Sequence, residues 1–246
     1  MQIYKFRRKL AAIYRDIEES ALKPVQMRRH KFFTKVMTMD MTLNREQKIV
    51  EYLRNTYNPT AIIKYGSYAD GSANENSDFD ALVIAGDCEK HDSSAVVDTV
   101  LDVWIYPEKK FFSEYDPRKF LQVFDGIVIQ DQNGVAENLI RKVNEHIDQT
   151  PAKSDDEIEQ EIKWCEKMLA RTVREDAEGY YRWHWLLMDS LEIYFDIKHL
   201  YYHGPKKALR FMKDNDPMAF DVYLRALKEM KRDNLAQWIE VLKDMR

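Results

Sequence analysis

Between residues 61 and 106 the chain packs three short runs of strand-forming residues, and the first of them ends on Gly66-Ser67. Ala61 to Tyr65 reads as a strand. Asp78 to Ile84 reads as a second, with Phe79, Leu82 and Ile84 among its apolar residues, and Val96 to Tyr106 as a third, rich in β-branched side chains. Residues i and i+2 of a strand point the same way, so Asp78 and Asp80 present two carboxylates to one side, their Cα atoms about 6.6 Å apart. Asp102 lies between Leu101 and Val103, where an ionised group needs a partner because burying an unpaired charge is costly. A neighbouring strand carrying Asp78 and Asp80 supplies one if the three carboxylates surround two divalent ions such as magnesium, which takes hard oxygen ligands. Without metal they would repel and raise one another's pKa values. Asp98 is a rival third carboxylate, on the face of Asp102 by even spacing; Asp102 is preferred. Taken singly, the Asp78-Asp80 pair reads as an acidic strand edge and Asp102 as a half-exposed strand aspartate.

Gly66-Ser67 adds a second kind of chemistry. A glycine that ends a strand lets backbone amides approach an anion, and the helix that starts there adds a favourable dipole. Ser67 can donate to a phosphate oxygen. The plain alternative is a strand–turn–helix junction. GxxxxGK[ST] and GxGxxG are both missing, so neither a Walker loop nor a dinucleotide fingerprint is expected.

The rest of the chain divides in two. Residues 1–40 read as a basic helical extension, packed on the main body or on a partner subunit, which leaves a homodimer open. Thr42 reads as the N-cap of a helix with Ile49, Tyr52 and Leu53 on its apolar face, ended by Asn58-Pro59. Gly86 to Ser94 reads as a polar loop, Gly126 to Gln130 as a further strand, and Val135 to Ile147 as a helix. Thr150 to Ser154 is the best linker. Ser154 with Glu157 has capping-box spacing, and only helices follow, the longest read from Tyr180 to Tyr202 after a break at Gly179. The expected fold class is α+β: a domain with a small mixed sheet at 41–150, then an all-helical bundle at 154–246.

Forty-two acidic against 38 basic residues give a net charge of −4, which argues against a broad nucleic-acid surface and mildly suits a cationic substrate. Cys88 and Cys165 form no CxxC pair or zinc cluster and suit a reducing, cytoplasmic home. No apolar run approaches the roughly 20 residues of a membrane span, and no signal peptide is expected. In the helical half Asp189, Glu192 and Asp196 sit three and four residues apart among apolar neighbours, so they can share a side. One could take up a hydroxyl proton or grip an ammonium group. Glu192 is the first choice, against the reading of a surface carboxylate. Lys206, near a helix start, would be on the unfavourable end of the dipole unless a triphosphate is near.

Gly66-Ser67, Asp78-Phe79-Asp80 and Asp102 together resemble the nucleotidyltransferase superfamily that includes DNA polymerase beta. The aromatic-rich stretch from Tyr180 and the Tyr201 to Lys207 segment resemble the C-terminal helical domain of its aminoglycoside and lincosamide adenylyltransferases. The resemblance implies magnesium, two ions, with ATP or another nucleoside triphosphate as substrate. A hydroxyl of a small-molecule acceptor attacks the α-phosphorus and pyrophosphate leaves. It implies metal binding by Asp78 and Asp80, with Asp102 binding the catalytic metal or helping to deprotonate the hydroxyl, triphosphate contacts from Gly66 and Ser67, and a carboxylate from the helical domain, here Glu192, as base. No nucleic acid or membrane partner is expected. The rivals are transfer to RNA or to a partner protein, as in toxin–antitoxin pairs, and a catalytically inactive scaffold. In the pattern Gly-Ser-x-Ala-x-Gly the second variable place holds Asp70 where a basic residue is common, which removes one phosphate contact; Lys64, Lys206 and Lys207 are the candidate replacements.

Overall fold

The computed structural model of the protein describes residues 44–246 apart from Glu175. The extension read at residues 1–40 and the Thr42 cap lie outside the described residues. The fold is α+β, and the chain divides into two compact units, one ending at Asp148 and the other running from Gln149 to Arg246.

The first unit is built on a mixed sheet of six strands. Helix α1 (44–57) leads into β1 (Ala61–Lys64), the one-turn helix α2 (Gly66–Asp70) and β2 (Phe79–Ile84). Then come β3 (Lys90–Asp92), β4 (Ala95–Val96), β5 (Thr99–Tyr106) and the short α3 (Lys109–Phe112). A 3₁₀ segment at Pro117–Val123, β6 (Ile127–Asp131) and α4 (Val135–Gln149) complete it. The strand order is β3-β5-β2-β1-β6, with β4 paired to β5. Only β2 and β5 run parallel; the other pairs are antiparallel. Both faces are covered, which is why β1 and β2 read as nearly unbroken apolar runs. One face packs Ile62, Phe79, Ala81, Val83 and Val103 with Ile49, Val50 and Leu53 of α1. The other packs Ile63, Tyr65, Leu82 and Ile84 with Phe120, Leu139 and Val143.

Two readings of this half change. The third strand is a hairpin: β4 and β5 are joined by Val97 and Asp98, whose φ angles of 51° and 59° make the two-residue left-handed turn that matches strand twist. Asp98 is therefore a turn residue and drops out as a rival to Asp102. The polar loop at 86–94 contains β3, too short and too polar to show a period of two.

The second unit is helical: α5 (Asp155–Arg171), α6 (Ala177–Ile197), α7 (Pro205–Asn215), α8 (Pro217–Lys228) and α9 (Arg232–Asp244). Ser154 and Glu157 form the capping box that their spacing predicts. Gly179 does not separate two helices. It lies in the first turn of α6, where Asp176 caps its amide, and a Cβ there would lie 1.7 Å from the Arg174 carbonyl oxygen. The other end is earlier than expected, since the chain turns left-handed at His199, with φ 53°. The core holds Trp183, Leu187, Tyr194, Tyr223 and Trp238, with Trp238 Nε1 donating to the buried Ser190 hydroxyl at 2.8 Å.

Candidate active site

Sheet register brings two of the three expected carboxylates together. In the parallel pair β2–β5, Asp80 stands opposite Asp102. Phe79 and Leu101 before them, and Ala81 and Val103 after them, point into the core under α1. Alternation therefore places both aspartates on the opposite face, and neighbouring strands lie about 4.8 Å apart. Asp78 is exposed and immediately precedes β2.

Gly66 sits against this pair. Its φ of +64° is left-handed, and a Cβ built on it would lie 2.2 Å from Asp80 Oδ2. The Tyr65 amide donates to the Asp80 carbonyl oxygen at 3.1 Å, so the end of β1 is fastened to the carboxylate-bearing residue. Ser67 follows in α2, and its carbonyl accepts from the amides of Ser72 and Ala73 at 3.0 Å. Tyr68 is buried edge-on against Phe79, with ring centroids 5.0 Å apart, which ties α2 to β2. Asp70, the departure from the basic residue, accepts from the Ser72 amide at 2.9 Å and so helps to hold this turn. Lys64, a candidate replacement for that contact, has a carboxylate partner of its own. It pairs with Glu46 of α1 at 2.5 Å and is only 12% exposed.

Two residues at the site carry no motif. Tyr65 is buried on the aspartate face, and its hydroxyl is pushed above the ordinary tyrosine value by burial first, then by the Asp102 and Asp80 charges. His91 of β3 holds Asp102, with Nε2 and Oδ1 2.7 Å apart. Gly66, just beyond β1, Asp80 of β2, Asp102 of β5 and His91 of β3 thus lie on or beside four successive strands of the sheet. Tyr65 could have been found by parity, since it directly precedes Gly66 and is two residues beyond the apolar Ile63. His91 could not, because its strand was not legible.

Among the described residues no three His, Cys, Asp or Glu side chains gather closely enough to hold a metal ion. Magnesium does not require such a cage: it is commonly held by one or two carboxylates, with substrate phosphates and water completing an octahedron. Asp80 and Asp102, paired across β2–β5 beside a glycine that leaves room for the Asp80 carboxylate, fit an ion held in that way.

The remaining predicted residues lie in the helical unit. Asp189, Glu192 and Asp196 line one cavity of about 500 Å³, together with Glu157, Glu161, Lys153 and Trp164. Lys153 is clasped by Glu161 and by Asp196, the latter at 3.0 Å. Burial would depress its pKa, but those hydrogen bonds carry it above the ordinary lysine value. The Glu192 carboxyl is raised by burial first and by the Asp196 charge second. Trp185 donates to Asp189 at 2.6 Å and packs edge-on to Trp164. Lys206 is exposed on the first turn of α7 and does not line this cavity.

The family model described as a nucleotidyltransferase domain matches residues 46–176, which span the sheet, α1, α4 and α5. The chain belongs to that family. Nucleotidyl transfer is the activity class that membership carries, and this makes the nucleotidyltransferase a transferase in the general sense. No curated protein matches the chain. Among solved structures, a nucleotidyltransferase-like protein from Exiguobacterium sibiricum 255-15 is 14% identical. It covers 83% of this chain and 74% of its own, with a TM-score of 0.35. A toxin–antitoxin structure with AMP-PNP is 22% identical and covers 41% of this chain and 85% of its own, with a TM-score of 0.28. No helix among the described residues of the nucleotidyltransferase is long and apolar enough to cross a membrane.

Proposed function

We propose that this nucleotidyltransferase transfers AMP from ATP, with magnesium, to a hydroxyl of a small cationic molecule of the aminoglycoside or lincosamide kind. The observation that carries the acceptor is the helical cavity, where five carboxylates face one lysine already held by two of them. Such a lining favours a ligand bearing ammonium groups, and Trp164 offers an apolar wall to a sugar ring. A cavity of about 500 Å³ suits a small molecule.

In the proposed reaction the acceptor oxygen attacks the α-phosphorus, the bond to the bridging oxygen breaks, and pyrophosphate leaves. The hydroxyl proton passes to a carboxylate. Glu192 is the proposed base, because a general base works best when its pKa is near the operating pH and that of Glu192 is raised. Asp80 and Asp102, with Asp78 beside them, would hold the metal, and Gly66 and Ser67 would lie along the triphosphate. The metal's contribution is to stabilise charge on the attacking and leaving oxygens.

The test is an acceptor-by-nucleotide screen read by pyrophosphate release. ATP with magnesium and a polyamine-bearing, hydroxylated acceptor should give turnover, and neutral sugars should not. Turnover confined to RNA or to a protein pool would overturn the small-molecule reading.

A further inference from the structure

We infer that His91 is a positioning residue for Asp102: it holds one carboxylate oxygen so that the other is presented to the metal. The inference rests on the reading that Asp102 binds the metal, and it concerns a residue that no motif marks.

The strand that carries His91 is built to present it. β3 is three residues long, and alternation sends Lys90 and Asp92 to one face and His91 to the other. The two outer residues are anchored under the sheet on α1. Asp92 is 8% exposed and accepts from Tyr57 at 2.7 Å, from Tyr52 at 3.2 Å and from the Ser94 hydroxyl at 2.6 Å. The Lys90 ammonium lies 4.3 Å from the centre of the Tyr57 ring. His91, between them, stands opposite Trp104 in the β3–β5 register and lies against its ring, tilted by 32° with centroids 4.6 Å apart. Trp104 in turn stacks on Tyr106 at 6.4 Å and 20°. The imidazole is therefore fixed in plane by Trp104 and in height by its anchored strand, and its Nε2 meets Asp102 Oδ1 at 2.7 Å. A carboxylate oxygen accepts, so Nε2 carries the hydrogen.

Stability does not account for this pairing. The two side chains are 37% and 48% exposed, and ion pairs that open to water contribute little to folding. Its consequence falls on Asp102. A ligating carboxylate that is itself hydrogen-bonded keeps its orientation when the ion arrives, and loss of such an outer partner typically costs about 10- to 100-fold in metal affinity.

The test measures manganese(II) affinity, by electron paramagnetic resonance with a non-hydrolysable ATP analogue bound, in the full chain and four variants. Asp102→Asn should weaken binding. His91→Phe keeps an aromatic ring on Trp104 but has no N–H, and should weaken binding roughly 10- to 100-fold. His91→Ala should do the same. His91→Gln can place an amide N–H near Oδ1 and should recover most of the loss. Thermal melts of all variants should stay near that of the parent. If Asp102→Asn binds manganese as well as the parent, the metal reading of Asp102 falls and the role of His91 falls with it. If Asp102→Asn weakens binding while His91→Phe does not, the metal reading stands and the positioning role is overturned. A His91→Gln as weak as His91→Phe also overturns it.

Discussion

A Cβ on Gly66 would lie 2.2 Å from Asp80 Oδ2. The glycine is needed twice, once for its left-handed φ and once for the space that the carboxylate occupies. The two demands can be separated, because Gly71 has a similar φ of +74° and nothing within 4 Å of its would-be Cβ. Gly71→Ala should cost only the backbone term, about 1–2 kcal/mol, and leave pyrophosphate release per folded molecule close to the parent. Gly66→Ala should show the same loss in a thermal melt and, beyond it, a loss of turnover, because Asp80 must leave its place. Equal activity in the two variants would remove the packing argument for Gly66.

Asp80 and Asp102 face each other across β2 and β5, whereas Asp98 is in the β4–β5 turn. Replacing either register partner by Asn should lower kcat by at least about 100-fold, since a metal contributes several kcal/mol and 1.4 kcal/mol is a factor of ten. Asp98→Asn should be within about twofold of the parent, as Asn also tolerates the left-handed turn. Chelation should abolish turnover, and magnesium should restore it. Single-turnover pyrophosphate release measures all three, and an active Asp80→Asn protein would defeat the metal reading.

How much of this was legible depended on pattern length. Gly66-Ser67, Asp80 and Asp102 stand in or beside strands of four to eight residues with clear apolar neighbours, so the strands that carry or precede them were legible from composition and alternation. The parallel pairing that sets Asp80 opposite Asp102 was not, since register depends on long-range contacts. His91 was hidden because three residues, Lys-His-Asp, show no apolar alternation; their anchoring comes from tyrosines some 40 positions away on α1. Gly179 misled for a related reason: glycine usually breaks a helix, but here the approach of the Arg174 backbone to its first turn excludes any side chain. The acidic cavity was half legible. Spacing put Asp189, Glu192 and Asp196 on one side, but Lys153 and Glu161 joined them only through packing of α5 on α6.

Asp92 should be a pH-dependent stability element. Burial would raise its pKa, but the hydrogen bonds from Ser94, Tyr57 and Tyr52 outweigh that and hold it below the ordinary carboxylate value. A carboxyl depressed in the folded state stabilises above its unfolded pKa, near 3.9, and the contribution is lost as pH falls through the folded value. Asp92→Asn should therefore destabilise by about 1–3 kcal/mol at neutral pH, with a shallower decline of stability below about pH 4. Denaturant titrations at several pH values check this, and parallel pH profiles for the two proteins would refute it.

Glu192 behaves in the opposite sense. Its pKa is raised by burial and by the Asp196 charge, so it keeps its proton over a wider acid range than an ordinary glutamate. If Glu192 accepts the acceptor's proton, turnover should fall as the solution is acidified, and the fall should begin above the ordinary glutamate pKa of about 4.3. Glu192→Gln removes the group and should lower kcat by about 10²- to 10⁴-fold, the usual contribution of a general base. Its remaining activity should lack that acid limb. Asp196→Asn keeps Glu192 but removes the repelling charge, so its acid limb should move to lower pH while the plateau is largely kept. Rate profiles for the three proteins at saturating ATP decide the matter. A Glu192→Gln profile with the parent's acid limb would assign that limb to another group, and an unchanged limb in Asp196→Asn would show that the two carboxylates do not interact.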